Sequence, residues 1–156
     1  MKINIIFGTE SGESEFVADD IAEALSKRFD VSVENMKDVD VDAIDFHAFY
    51  LVVCSTYGEG DMPSSAEPFH RALSAGRPDL SMLQYAMFGR GDSTYAETYS
   101  QGSEHVDRLL TELGATRVGE YGREDAGDWD TPEDIAVQWA EVVVKVREGE
   151  GEDAVS

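Results

Sequence analysis

Positive charge is scarce in this chain. Its 156 residues hold 12 lysines and arginines against 33 aspartates and glutamates, a formal net charge of -21. That deficit excludes nucleic acid and anionic membrane surfaces as partners, because both would repel the chain. It favours a basic patch on a partner protein, although solubility alone would also account for it. Cysteine is nearly absent. Cys54 stands alone, so no disulfide forms within the chain, and its place in the apolar run AFYLVVC marks it as a small buried thiol without a redox role. Long hydrophobic runs are missing too. No segment approaches membrane-spanning length, and MKINIIFG is too short and too soon interrupted for a signal peptide. His47, His70 and His105 are scattered, with no metal-ligand spacing. The expectation is a soluble, cytoplasmic monomer.

Apolar residues make up 42% of the chain, enough at this length for one domain with a full core. That domain should span residues 1–148, and the glycine- and acid-rich tail 149–156 should fray. Along the domain, strands alternate with helices. Ile3–Phe7, Val31–Met36, Phe49–Cys54, Tyr85–Phe88 and Arg117–Tyr121 read as five strands. The third is apolar throughout, as a central strand buried on both faces must be. Between them Ser14–Phe29, Ser65–Leu73 and His105–Leu113 repeat apolar residues at helical spacing. Thr131 reads as the N-cap of a last helix to about Val146, with Pro132 at its first position and Trp139 in the core. This order predicts an α/β fold: an open, doubly wound, five-stranded parallel sheet in the order 2-1-3-4-5 with helices on both faces. Ligands of such sheets lie beyond the carboxyl ends of the strands, where strand order reverses.

Three segments follow those carboxyl ends. After the first strand stands Thr9-Glu10-Ser11-Gly12-Glu13-Ser14, rich in hydroxyls and opening a helix. Unpaired N–H groups and the helix dipole there favour a phosphate. There is no lysine, so this is not a Walker-type loop. After the central strand comes Ser55-Thr56-Tyr57-Gly58-Glu59-Gly60-Asp61, and after the fourth Gly89-Arg90-Gly91-Asp92-Ser93-Thr94-Tyr95. Two aromatics on converging loops can grip a flat ring while the glycines let backbone approach its edge.

On these three loops, in this order, the chain resembles the flavodoxins from Lys2 to about Val146. STYGEGD is similar to the corresponding loop in the FMN domains of diflavin reductases. Pro78-Asp79-Leu80-Ser81 and Thr131-Pro132-Glu133-Asp134 look like the small MioC-type proteins. The resemblance implies one bound FMN and no catalytic residue or metal. It implies that Thr9, Ser11, Gly12 and Ser14 hold the phosphate through hydroxyls and N–H groups. Glu10 and Glu13 should contribute backbone only, their carboxylates turned to solvent away from the dianion. Tyr57 and Tyr95 should lie on opposite faces of the isoalloxazine, with Ser55 and Thr56 lining its approach. Gly58 should turn its carbonyl to flavin N5 after one-electron reduction. Gly60, Gly89, Arg90, Gly91 and Asp92 should border the ring, Asp92 through its backbone at the pyrimidine edge. Tyr99 and Ser100 are both candidates to close that edge, and Asp125, after the fifth strand, borders the flavin. Without a long insertion in the fifth strand, the chain is of the short type.

The resemblance further implies a one-electron carrier rather than an enzyme, reduced by a flavodoxin-reductase-type donor and oxidised by an acceptor enzyme with a basic face. The alternative is a stand-alone FMN-dependent oxidoreductase of the quinone-reductase kind. No second nucleotide fingerprint is present, and acidic loops would repel the phosphates of NADPH. A phosphoacceptor receiver domain would need aspartates after strand one and a lysine after strand five, where Gly8-Thr9 and Gly122-Arg123 stand.

Overall fold

The structure, a computed structural model, describes residues 1–10, 12–55, 62–91, 101–125 and 132–149. In chain order the elements are β1 (Lys2–Gly8), α1 (Glu13–Leu25), β2 (Asp30–Asn35), β3 (Phe49–Ser55), α2 (Glu67–Gly76), β4 (Gln84–Gly91), α3 (Gln101–Glu112), β5 (Thr116–Arg117), β6 (Gly122–Asp125) and α4 (Pro132–Glu148). The strands pair in parallel in the order β2-β1-β3-β4-β5, and β6 continues beside β4. The expected doubly wound order is thus present.

Period-two alternation divides the core between the two faces. Ile3, Ile5, Phe7, Phe49, Leu51, Val53, Ala86 and Phe88 point to α1 and α4, meeting Val17, Ile21, Leu25, Trp139 and Val143. Ile6, Tyr50, Val52, Cys54, Tyr85 and Met87 point to α2 and α3, meeting Phe69, Leu73, Val106 and Leu110. Trp139 lies tilted on Phe88 with ring centroids 5.1 Å apart, and its Nε1–H donates to Glu120 O at 3.2 Å. Cys54 is buried as expected, and burial pushes its thiol up to about 12, so it stays neutral and unreactive.

Several boundaries differ from the sequence reading: α2 spans Glu67–Gly76 rather than Ser65–Leu73, α3 starts at Gln101 rather than His105, and three further differences have a visible cause. β4 runs on through Gly89, Arg90 and Gly91, which were expected in a loop. The apolar pattern stops at Phe88, but ladders to β3 on one side and β6 on the other carry the strand further. The fifth strand, expected at Arg117–Tyr121, is instead split into β5 and β6. Gly119 interrupts it with φ +77, and a Cβ there would stand 2.8 Å from Val143 Cγ1, so the chain must bend where α4 presses closest. Asp125 consequently ends β6 rather than lying in a following loop. Lastly, α1 stops at Leu25, where the N–H groups of Arg28 and Phe29 both return to Leu25 O. Phe29 still packs on the core from that turn. Pro132 is the first residue of α4 as expected, while Thr131 lies outside the described residues.

Candidate functional site

The ladders bring the strand ends to one edge. Gly8 pairs with Cys54, Cys54 with Gly89, Ser55 with Arg90, and Gly91 with Asp125. Strand order reverses between β1 and β3, so the crevice opens there.

The loop after β1 is fixed by its own hydroxyls and by the segment leading into α2. Thr9 N–H donates to Ser65 Oγ at 2.7 Å, and Ser65 N–H returns to Thr9 O at 3.3 Å. Ser64 N–H donates to Glu10 Oε1 at 2.7 Å. Gly12 N–H donates to Thr9 Oγ1 at 2.7 Å. Gly12 turns the chain into α1 with φ 97 and ψ -6. No atom lies within 4 Å of a Cβ built there, so conformation rather than space demands glycine. Beyond it, the N–H groups of Glu13 and Ser14 open the helix with no carbonyl one turn back to receive them. Ser14 is fully buried, and its Oγ has no hydrogen-bond partner among the described residues. A buried hydroxyl without a partner, in the first turn of a helix, is the kind of group a phosphate oxygen satisfies.

Glu10 and Glu13 behave differently from the expectation. Both are exposed, yet neither carboxylate is given over to solvent alone. Glu10 is tied to Ser64 N–H, and Glu13 Oε2 accepts from Arg90 Nη1 at 3.3 Å. Arg90 reaches it because its side chain follows Ala86 and Phe88 onto the α1 face of the sheet.

Four polar residues are buried among those described: Ser14, Ser65, Arg90 and Ser103. The first three surround the loop between β1 and α1. Ser103, in α3, lies behind Gly89, where its Oγ shares a 2.5 Å hydrogen bond with Tyr121 OH. A Cβ at Gly89 would collide with Ser103 and come within 3.2 Å of Tyr121 Cε1, so glycine there is a matter of space. The Arg117 and Arg123 guanidinium groups lie 5.2 and 4.1 Å from the Tyr121 ring centroid. Burial pushes the Tyr121 phenol up, so it stays protonated. Ser55 Oγ donates to Gly8 O at 3.4 Å, bridging the ends of β3 and β1.

Thr9, Glu10, Gly12, Glu13, Ser14, Ser55, Gly89, Arg90 and the backbone of Gly91 and Asp125 therefore share this edge. Ser11, Thr56, Tyr57, Gly58, Gly60, Asp92, Tyr95, Tyr99 and Ser100 lie outside the described residues. Sequence reasoning passed over Ser64, Ser65, Ser103 and Tyr121. The only signal was the Ser64-Ser65 pair before α2, which reads as an ordinary capping element.

Beside α1 lies an acidic groove lined by Glu15, Asp19, Glu34 and Asp38, with Lys37 its one cation. Phe16, on the same helix, is 66% exposed.

Residues 5–139 match the family model described as Flavodoxin. Over 131 residues, 82% of the chain, it is 36% identical to the mitochondrial pyruvate dehydrogenase [NADP(+)] of Euglena gracilis, but spans only 7% of that protein's length. It is 31% identical over 137 residues to Protein MioC of Escherichia coli strain K12, covering 88% of this chain and 92% of that one. A solved structure of a cysteine-substituted mutant of flavodoxin from Pseudomonas aeruginosa superposes with a TM-score of 0.81 at 32% identity, covering 94% of this chain and 99% of the other. A parallel 2-1-3-4-5 sheet, a hydroxyl-rich loop opening α1 at its switch point and these matches lead to one conclusion: the chain belongs to the flavodoxin family of FMN-binding electron-transfer proteins.

Proposed function

We propose that this chain binds one FMN at the carboxyl edge of its sheet and shuttles single electrons between a flavodoxin-reductase-type donor and an acceptor enzyme with a basic face. The observation that carries the reading is Ser14, a buried hydroxyl in the first turn of α1 with no partner among the described residues. When bound, FMN supplies the redox chemistry, and the protein supplies binding, orientation and electrostatics. Thr9, Ser11, Gly12 and Ser14 hold the phosphate. Tyr57 and Tyr95 flank the ring and keep water from its faces. Ser55 and Thr56 line the approach, and Gly58, Gly60, Asp92, Asp125 and either Tyr99 or Ser100 border the ring's edge.

Charge supports the choice of partner. The groove beside α1 carries four carboxylates and one lysine, in a chain of net charge -21. Such a surface speeds and orients encounter with a basic face. The exposed Phe16 ring offers an apolar contact beside it.

The experiment is an anaerobic titration. The apoprotein should quench the fluorescence of added FMN and take on the visible spectrum of a bound flavin. Stepwise dithionite should then reduce that flavin in two resolved one-electron stages. Substituting Gly58 by valine should diminish the first stage's accumulation, because a β-branched residue resists the positive φ that a peptide flip needs. FMN fluorescence that stays unquenched defeats the reading. Oxidation of NADPH by the purified protein alone would instead favour the oxidoreductase alternative.

A further inference from the structure

β2 is an open edge of the sheet. It pairs with β1 in unbroken register from Lys2↔Asp30 to Phe7↔Asn35, and no strand among the described residues lies on its other side. Alternate N–H and C=O groups along it therefore point away from β1. Such edges are commonly blunted by proline, by lysine or by a bulge. The β2 sequence DVSVEN holds neither residue, and its register shows no bulge. The opposite edge is different, because β5 is only two residues long.

Carboxylates flank this edge on both faces. Val31 and Val33 pack toward the α1 side, where Glu15 and Asp19 stand one turn apart on the helix. Ser32 points the other way and donates to Asn4 Oδ1 at 2.7 Å, and by alternation Glu34 shares its face. Asp38 stands just past the strand's end. All four carboxylates are exposed and line one groove with Lys37. Elsewhere the chain pairs its scarce cations, Lys2 with Asp45, Arg77 with Glu112, Arg117 with Asp107 and Arg123 with Glu104. Among the described residues no ion pair forms within the groove.

That arrangement selects among possible occupants. A second copy of this chain laid edge to edge would set like charges against one another. A basic strand would meet opposite charge from above and below. We propose that the open edge of β2 takes up an extended, lysine- or arginine-rich segment of a partner protein as an added strand. Its backbone bonds the outward groups of β2, and its alternate side chains reach Glu15 and Asp19 on one face and Glu34 on the other. The inference rests on the acidic docking surface proposed above and deepens it: charge draws the partner in, and the unpaired edge fixes its direction and register.

The test titrates the whole chain with a short peptide repeating Lys-Lys-Thr-Thr, which places lysines on both faces of a strand. A second peptide carries N-methyl groups on its threonines, keeping the charge but removing ladder donors. The parent peptide should bind and should slow hydrogen exchange at the β2 amides that do not bond β1. The methylated peptide should bind about ten-fold more weakly, the scale of a few lost hydrogen bonds. The variant Glu15→Gln with Asp19→Asn, and separately Glu34→Gln, should each weaken the parent peptide about three-fold or more, and high salt should weaken it further. Equal binding of the two peptides, or exchange protection that spares β2, overturns the added strand; if the charge variants still weaken binding, the acidic docking surface stands without it. A parent peptide that does not bind, or that binds all variants alike, overturns that docking surface and this inference together.

Discussion

Two serines at the site have opposite relations to stability. Ser65 Oγ accepts the Thr9 N–H in a part-buried position. Replacing it with alanine strands that donor, which costs about 1–3 kcal/mol. Ser65→Ala should therefore lower the urea midpoint of the apoprotein, and a midpoint equal to wild type would show that water reaches Thr9. Ser14 Oγ is buried and has no partner among the described residues to lose. Ser14→Ala should leave apoprotein stability unchanged or slightly raised while weakening FMN, a separation that paired urea and fluorescence titrations would detect. The two residues were unequally legible beforehand. Ser14 fits a hydroxyl-rich pattern that ends a strand and opens a helix. Ser65 acts on a residue 56 positions away, and nothing local in Pro63-Ser64-Ser65 points to that partner. Arg90 was legible as a site residue but its contact with Glu13 was not: between two glycines it reads as loop, and only the continuation of β4 turns its side chain toward α1.

Among the elements, the strand–helix alternation was legible because period-two and period-3.6 patterns are strong over β1, β3, α1 and α4. The outer strand was not. Its break depends on Gly119 meeting Val143, a contact made by α4 from 24 residues further on. Gly119→Val would force a β-branched residue into positive φ against that helix. Such a variant should unfold at markedly lower temperature, by an amount corresponding to about 2 kcal/mol or more, since strain and overlap act together. Calorimetry of the apoprotein is the check, and an unchanged midpoint would mean that α4 can shift away. A second element-level effect lies between α2 and α3. His70 is held below its ordinary histidine value, chiefly by burial and secondly by the nearby charge of His105. The unfolded chain then binds the proton more readily than the folded one. His70 accordingly adds stability above the unfolded value near 6.5 that is lost as pH falls through its lower folded value. His70→Gln should flatten the fall in midpoint between neutral and mildly acidic pH relative to wild type, and parallel profiles would refute the assignment.

For the molecule as a whole, charge is the dominant feature. With a net charge of -21, self-repulsion opposes the compact state, and added salt screens it. Raising sodium chloride from about 10 mM to about 500 mM, which shortens the screening length several-fold, should raise the thermal midpoint of the apoprotein. The same increase should slow association with a basic redox partner, so stability and encounter rate should move in opposite directions along one salt series. A partner reaction that accelerates with salt would refute the acidic docking face. Sheet order and the edge that bears the site follow from topology, so they were readable at this scale. The contact between the surface carboxylate of Glu13 and the buried Arg90 was not, because it depends on where individual side chains end.

The stitching of Thr9 and Glu10 to Ser64 and Ser65 has one more consequence. The strap that would grip a ligand's tail and the stretch leaving the loop that carries Tyr57 share their fastenings, so neither can gape while the other stays shut. Backbone amides on the two stretches should trade hydrogen for deuterium in step, and a single event of docking should quiet both together, even though α1, β2, β3 and the loop that trails it lie between them in the chain.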